Sequence, residues 1–160
     1  MTLTRAGKLM TGVLVIACAS MTSTAQNKPG ATAPEVPKGW FSIPPDEIKW
    51  AKNGDGTPRV GAILFGDPSK HELYGLVVKW PPNTTAKAHS HSDDRYVVVL
   101  SGTFYHGHGD KFDATKLERR TRGTTFSEPA NVAHFGATKD EEAVLYFVGV
   151  GPDRTDALEK

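Results

Sequence analysis

Three histidines have the spacing in this sequence that points most directly to chemistry. His89 and His91 are separated by one residue, and on a β-strand residues i and i+2 project from the same face. Both imidazoles can therefore reach one point in space. Two imidazoles usually need a third ligand to hold a metal ion. His134, which follows the turn-like segment Pro129-Ala130-Asn131, is the candidate for that ligand.

The other histidines are less informative. His71 lies beside Glu72 after a Pro-Ser-Lys turn, which favours a surface position. His106 and His108 form a second pair separated by one residue. That pair is equally compatible with a ligand pair and with two surface side chains near a loop.

The elements that must position these side chains are short β-strands. Apolar runs predict strands at 60–65, 72–80, 95–100, 103–108, 123–127 and 143–150. Because 95–100 and 103–108 are nearly contiguous, they are expected to form a hairpin. Residues 113–121 favour a helical turn, as does the segment from Pro44 to Trp50. Short strands at this spacing predict an all-β sandwich or closed barrel.

Two segments resemble the sequence motifs of the cupin superfamily. Residues 82–102 contain a turn, the pair His89 and His91, and a Val-rich strand that ends at glycine. Residues 123–134 keep the spacing of the second cupin motif: glycine, five residues, proline, then His134. Residues 100–104 and 109–113 further resemble a bacterial subgroup of small single-domain cupins. Two motifs in the right order are more specific than either alone.

The resemblance implies an all-β fold: a single antiparallel β-barrel or jelly roll with a short N-terminal arm and little helix. It also implies one divalent transition metal inside the barrel. Carried over by position, the metal ligands are His89, His91 and His134. Fe, Mn, Ni, Cu and Zn are not distinguished, since imidazole suits all of them.

One family ligand is replaced. The glutamate of the first cupin motif falls at Arg95, and a guanidinium cannot coordinate a cation. Three outcomes follow: a site of three histidines with open positions, a site completed by Asp94 or Asp93, or a barrel that has lost its metal. An inward Arg95 would bind an anionic substrate, whereas an outward Arg95 would face solvent or pair with Asp93 or Asp94.

The role of Glu128 stays open between two interpretations. Glu128 could orient a ligand imidazole through a hydrogen bond, or it could be a surface acid at a strand end. Five aromatic side chains are expected in the core: Tyr96, Phe104, Phe126, Phe135 and Phe147.

The functional expectation is a metal-dependent enzyme of the oxygenase type that acts on a small, anionic metabolite. The alternative is a barrel that binds or senses a small ligand without turnover. A homodimer is a further expectation, since an arm containing Trp40 and Phe41 could cross to a second copy.

Composition sets the outer limits. A chain of 160 residues is one domain, and its net charge of +1 excludes nucleic-acid binding through bulk electrostatics. Residues 1–25 have the layout of a secretion signal, with Arg5 and Lys8 before an apolar run too short for the ~20 residues of a membrane span. Their removal changes the net charge to −1. The expected product is periplasmic or secreted.

The expected organisation has three parts: a signal peptide at 1–25, a flexible linker or arm at 26–39, and a cupin β-barrel at 40–155. A rival interpretation of the leader is lipoprotein processing, because Val15-Ile16-Ala17-Cys18 loosely resembles a bacterial lipobox. In either case the single cysteine, Cys18, takes no part in the chemistry of the folded domain.

Overall fold

The computed structural model describes residues 35–159. The predicted signal peptide, Cys18 and residues 26–34 of the predicted linker lie outside these residues. The description that follows applies to residues 35–159 only.

Strands account for nearly all the regular structure. Helix is limited to two single 3-10 turns, Pro45–Glu47 and Ala114–Lys116, both within segments where the sequence predicts a helical turn. The eleven strands are β1 Ala51–Lys52, β2 Val60–Phe65, β3 Leu73–Trp80, β4 Thr85–His91, β5 Arg95–Ser101, β6 Thr103–His108, β7 Glu118–Thr121, β8 Thr125–Glu128, β9 His134–Ala137, β10 Ala143–Val150 and β11 Thr155–Ala157.

These strands form two antiparallel sheets. One has the order β1-β2-β3-β10-β5-β8 and the other has the order β11-β4-β9-β6-β7. The all-β prediction is confirmed, and the architecture is a jelly roll of two sheets rather than one closed barrel. Strands that are neighbours in the chain often lie in different sheets, so most contacts that build the interior are long-range in sequence.

The predicted hairpin over 95–108 is wrong. In the structure β5 pairs with β10 and β8, whereas β6 pairs with β7 and β9. The chain crosses between the sheets at Gly102, whose φ of +71° favours glycine. A Cβ atom there would lie 1.9 Å from the carbonyl oxygen of Glu142. The two apolar runs therefore belong to opposite walls of the molecule.

The hydrophobic core lies between the sheets. Its main members are Val78, Trp80, Val97, Phe104 and Leu145, all of them buried. Burial of these side chains against each other is the main driving force that keeps the sheets together.

Four of the five aromatic side chains expected in the core are there. Phe104, Phe135 and Phe147 are buried, and Phe126 is half-buried against the core. The expectation for Tyr96 is wrong, since it is 63% exposed on the outer face of β5.

The arm is only partly docked on the domain. Trp40 is fully exposed, while the ring of Phe41 makes an edge contact with Phe65 at 5.8 Å between centroids. Within residues 35–159, none of the helical segments has the length and apolarity needed to traverse a bilayer.

Candidate metal centre

The two histidines of β4 point into the interior because the strand changes register before it reaches them. Ala86 packs into the hydrophobic core, and the pairing of β4 with β9 is irregular between Ala86 and His89. A bulge of this kind changes the direction in which the following side chains project. Beyond it, His89 and His91 share a face, as their spacing predicts.

His134 enters the same space from β9. It is the register partner of His89 across the β4–β9 pair. The turn before it depends on Asn131, whose φ of +61° is tolerated by asparagine better than by most residues. The backbone N–H of Asn131 also donates to the carbonyl of His91 at 2.7 Å, which fixes this turn to the end of β4.

The three rings converge. Their centroids lie 5.0 Å apart for His89 and His91, 4.5 Å for His89 and His134, and 5.3 Å for His91 and His134. One ligand nitrogen from each ring lies within 4.8 Å of the other two. The structure therefore brings together the three residues that the sequence analysis singled out.

Each ring is oriented by a hydrogen bond on its other nitrogen. Nδ1 of His89 lies 2.7 Å from the carbonyl of Lys87, and Nδ1 of His134 lies 3.0 Å from the carbonyl of Val132. A carbonyl only accepts, so both Nδ1 atoms carry the proton and both Nε2 atoms keep a free lone pair. This is the tautomer that a metal ligand requires.

His91 is oriented by a carboxylate instead. Its Nδ1 lies 3.0 Å from Oδ1 of Asp153 and 3.2 Å from the hydroxyl of Thr155. Asp153 lies in the connection between β10 and β11, and Thr155 is the first residue of β11. The C-terminal part of the chain therefore sets the direction of this imidazole.

Burial keeps the imidazoles of His89 and His91 neutral. Burial lowers the pKa of His91 to about 2, and the positive charge of Arg95 acts in the same direction. Burial lowers the pKa of His89 to about 4, although the hydrogen bond to Lys87 opposes the shift. A neutral imidazole is the form that binds metal, so these two ligands need not lose a proton at neutral pH.

Arg95 points inward. Its side chain is buried, its guanidinium forms an ion pair with Glu128, and its Nη1 lies 3.7 Å from Oδ2 of Asp153. Burial would lower the pKa of Arg95, but these two carboxylates outweigh burial and raise it. Neither Asp93 nor Asp94, the partners considered from the sequence, forms this ion pair.

The structure does not bring Asp94 to the three imidazoles. Asp94 is exposed, and its Oδ1 accepts a hydrogen bond from the backbone N–H of Ala130 at 2.8 Å. Asp93 is buried, and it accepts a hydrogen bond of 2.6 Å from the hydroxyl of Tyr74. Both aspartates are thus engaged in holding the loops around the site.

The carboxylate of the site comes from Glu128 at the end of β8. Glu128 is buried, with Oε2 3.6 Å from Nε2 of His134 and Oε1 3.6 Å from Nε2 of His106. Burial would raise its pKa, but the charge of Arg95 and the nearby imidazoles lower it to about 2. Glu128 is therefore ionised, and the interpretation of it as a surface acid is wrong.

His106 is the second residue whose role the sequence left open. It is 1% exposed, and burial lowers its pKa to about 3, so the ring is neutral. Neither of its nitrogens has a hydrogen-bond partner within residues 35–159. His108, two residues further along β6, is exposed.

The imidazoles open onto a cavity of about 810 Å³. Its lining also includes Trp80 and a glycine-rich loop that contains Asp55. The guanidinium of Arg59 stacks 4.2 Å above the Trp80 ring, and its Nε donates to the hydroxyl of Thr57 at 2.9 Å. The cavity thus combines an aromatic wall with a cation held in place by its own loop.

The sequence left the roles of Glu128 and His106 open, and it did not identify Asp153. Alternation along β8 places Glu128 on the same face as the half-buried Phe126, which is a signal that the sequence contains. Alternation along β6 likewise groups His106 with Phe104. Asp153 has no such signal, because it lies in a loop that only the folded chain brings to His91.

These residues fit a divalent transition metal. The Nε2 atoms of His91 and His134 are buried and lack hydrogen-bond partners in the described part of the chain. Buried polar atoms of folded proteins are nearly always paired. A cation that accepts the lone pairs of neutral imidazoles would satisfy both atoms.

Comparisons with known proteins agree on the fold. A family model described as the ChrR cupin-like domain matches residues 39–153. No curated protein matches the sequence.

Solved structures with the same fold have diverse reactions. The polyketide cyclase RemF from Streptomyces resistomycificus has a TM-score of 0.65 at 14% identity, over 76% of this chain and 87% of the cyclase. A cupin-superfamily sugar phosphate isomerase from Silicibacter pomeroyi has a TM-score of 0.54 at 16% identity, and the match covers 69% of this chain and 76% of the isomerase. The DMSP lyase DddQ from Ruegeria pomeroyi has a TM-score of 0.53 at 16% identity, and the match covers 66% of this chain and 57% of the lyase. At these identities the likeness concerns the fold alone.

Proposed function

The chain belongs to the ChrR cupin-like domain family, and from that premise we propose that it is a metal-dependent enzyme acting on a small molecule. His89, His91 and His134 would hold one divalent transition metal. When bound there, the ion would act as a Lewis acid towards a substrate oxygen.

The observation that carries this proposal is the ionised carboxylate of Glu128. It lines the same cavity as the three imidazoles and lies 3.6 Å from the nearest of them, that of His134. A buried carboxylate close to a polarised substrate can accept a proton from it; because its pKa is lowered, Glu128 is a weak base, and the bound metal would have to supply most of the substrate's acidity. The reaction class favoured is therefore proton transfer, as in isomerisation, elimination or cyclisation.

Arg95 has a positioning role in this scheme. Its ion pair with Glu128 fixes the carboxylate and keeps it ionised. Because Glu128 and Asp153 neutralise Arg95, it is not free to bind a substrate anion as the sequence suggested. Arg59, at the cavity wall, is likewise paired, with Asp55 of its own loop, so neither arginine is assigned to an anionic group of the substrate.

Oxygenase chemistry is the second candidate. It is favoured by the donor set itself, because three histidines without a carboxylate from the first motif leave coordination positions open to oxygen or substrate. Oxygen uptake that depends on added Fe²⁺ would select this candidate over proton transfer.

The first test is metal content. Protein purified without a histidine tag should contain, or take up, about one divalent ion per chain, measured by inductively coupled plasma mass spectrometry. No uptake of Fe, Mn, Ni, Cu or Zn would reject the metal-dependent enzyme and favour a ligand-binding barrel without turnover.

The second test addresses the reaction class. The metal-loaded protein should exchange carbon-bound hydrogen for deuterium in a panel of small 2-oxo acids and hydroxyketones followed by proton NMR. Glu128→Gln should abolish this exchange while metal stays bound, since an amide does not accept the proton. Exchange that persists in Glu128→Gln would remove Glu128 from the reaction.

We also propose that the protein is exported. The support is the order of charge, apolar run and small residues in 1–25. Intact-mass analysis of the mature protein distinguishes cleavage before Gln26 from lipid attachment at Cys18. A full-length cytoplasmic product would contradict both.

A further inference from the structure

We propose that the protein has a second, deeper metal position, formed by His106, Glu128 and His134. A divalent transition metal would occupy it in place of, and never together with, the position formed by His89, His91 and His134. Nothing in the cupin sequence motifs assigns His106 or Glu128 to metal binding.

The spacing of the donor atoms supports this position. Oε1 of Glu128 lies 3.6 Å from Nε2 of His106, whereas the 3.6 Å contact with Nε2 of His134 is made by Oε2, the other oxygen of the carboxylate. Ligands about 2.1 Å from a tetrahedral ion are separated by about 3.4 Å, given usual metal–nitrogen and metal–oxygen distances. One ligand atom from each residue lies within 4.8 Å of the other two.

The state of these side chains also fits a metal. All three are buried, and Nε2 of both histidines lacks a hydrogen-bond partner in residues 35–159. His106 is the clearer case because its Nδ1 is unpartnered as well. A buried imidazole that bonds to nothing is costly to keep, and a cation beside the Glu128 carboxylate would satisfy it.

The two positions exclude each other through His134. Its Nδ1 is occupied by the carbonyl of Val132, so only Nε2 remains for a metal. An ion in the deeper position must therefore release His89 and His91. It would also occupy Glu128, the proton acceptor of the proposed reaction, so the deeper position would hold the metal in a resting state.

Arg95 restricts how Glu128 can bind. Its Nη2 contacts Oε2 of the carboxylate, which leaves Oε1, on the His106 side, for an ion. A hydrogen-bonded partner of this kind orients a ligand carboxylate without being a ligand.

The test uses Co²⁺ as a visible probe of the full-length protein. The double variant His89→Ala/His91→Ala should still bind about one Co²⁺ per chain, with a visible absorption spectrum shifted from that of the wild type because a carboxylate replaces an imidazole. Adding His106→Ala should abolish this binding, whereas adding His108→Ala, the exposed neighbour on β6, should leave it intact. Circular dichroism confirms that each variant is folded.

The outcomes are distinct. If the wild type binds Co²⁺ but the folded double variant does not, the deeper position is rejected while the proposed function stands. If the double variant binds Co²⁺ equally well with and without His106→Ala, the ion lies elsewhere and the inference is again wrong. If the wild type binds none, both proposals fail.

Discussion

Arg95 and Glu128 are register partners on β5 and β8, and their side chains form an ion pair buried between the two sheets. Arg95 occupies the position at which the cupin motif has its glutamate. The site still contains a carboxylate, because Glu128 on the neighbouring strand β8 lies directly opposite Arg95. The exchange keeps a negative charge near the histidines and adds a fixed positive charge beside it.

This ion pair predicts a strong thermodynamic coupling. Arg95→Met or Glu128→Gln alone should lower the free energy of unfolding by about 3–5 kcal/mol, because each leaves a buried charge without its main partner. The double variant should lose less than the sum of the two, by about 1–3 kcal/mol. Urea denaturation of the metal-free wild type, the two single variants and the double variant measures this coupling. Losses that simply add would contradict it.

Metal should stabilise the protein, and only through the converging imidazoles. Adding Zn²⁺ at about 100 times its dissociation constant should raise the free energy of unfolding by about 2.7 kcal/mol. His134→Ala should abolish this gain, since it removes the ligand that both metal positions share. The exposed His108→Ala is the matched control and should keep the full gain in a thermal-shift assay.

Asp153 should affect metal affinity without being a metal ligand itself, because it orients His91. Its Oδ1 orients Nδ1 of His91, and loss of such a partner typically weakens metal binding by about 10–100-fold. Asp153→Ala should therefore raise the dissociation constant by that factor in isothermal titration calorimetry. Asp94→Ala should leave it unchanged because the Asp94 carboxylate is exposed and bonds to Ala130. Weaker metal binding by Asp94→Ala would indicate that Asp94 is a metal ligand after all.

The stability of the metal-free protein should fall as the pH is lowered. Burial lowers the pKa values of His89, His91 and His106 to about 4, 2 and 3. Below an unfolded-state pKa of about 6.5 the unfolded chain therefore binds protons that the folded chain does not, and each unit of pH costs up to about 1.4 kcal/mol per histidine. Between pH 7 and pH 5 we expect a loss on the order of 2–5 kcal/mol.

Two carboxylates modify this profile. Glu128, with its pKa lowered to about 2, adds a further loss of stability below about pH 4.5. Asp93 acts in the opposite direction because burial raises its pKa.

Chemical denaturation across this pH range measures the free energy of unfolding. His106→Leu should reduce the slope of that free energy against pH, between pH 6 and pH 5, by about one third. An unchanged slope would show that His106 does not contribute.

The sequence predicted the fold and the three converging histidines because both depend on local patterns. Short apolar runs gave the main strands, and the spacing of His89 and His91 requires only that they lie on one strand. The position of His134 followed from the second cupin motif. The turn predicted at Pro129-Ala130-Asn131 is formed, with Asn131 at a φ of +61°.

The direction of Arg95 could not be predicted, for a physical reason. It alternates with Val97 and Val99 on one face of β5, while Tyr96, Val98 and Leu100 occupy the other face. Both faces are apolar, so alternation alone does not tell which one is buried. Packing against β10 and β8 decides it, and that pairing is non-local.

The hairpin expected over 95–108 failed for a related reason. Two apolar runs joined by Ser101 and Gly102 satisfy the local rule for a hairpin. The same two residues allow the chain to change sheets, and the choice depends on partners far away in sequence, such as Ala143–Val150 for the first strand. Local preference does not distinguish the two paths.

The place of β4 in its sheet has a consequence for the order of folding. The strand that carries His89 and His91 is flanked by β9 and β11, and both follow it in the sequence. β4 is therefore paired on both edges only after the chain as far as β11, the last strand described, has joined the sheet. A chain truncated before Thr155 would leave His91 without its strand partner and without the hydroxyl that contacts its Nδ1.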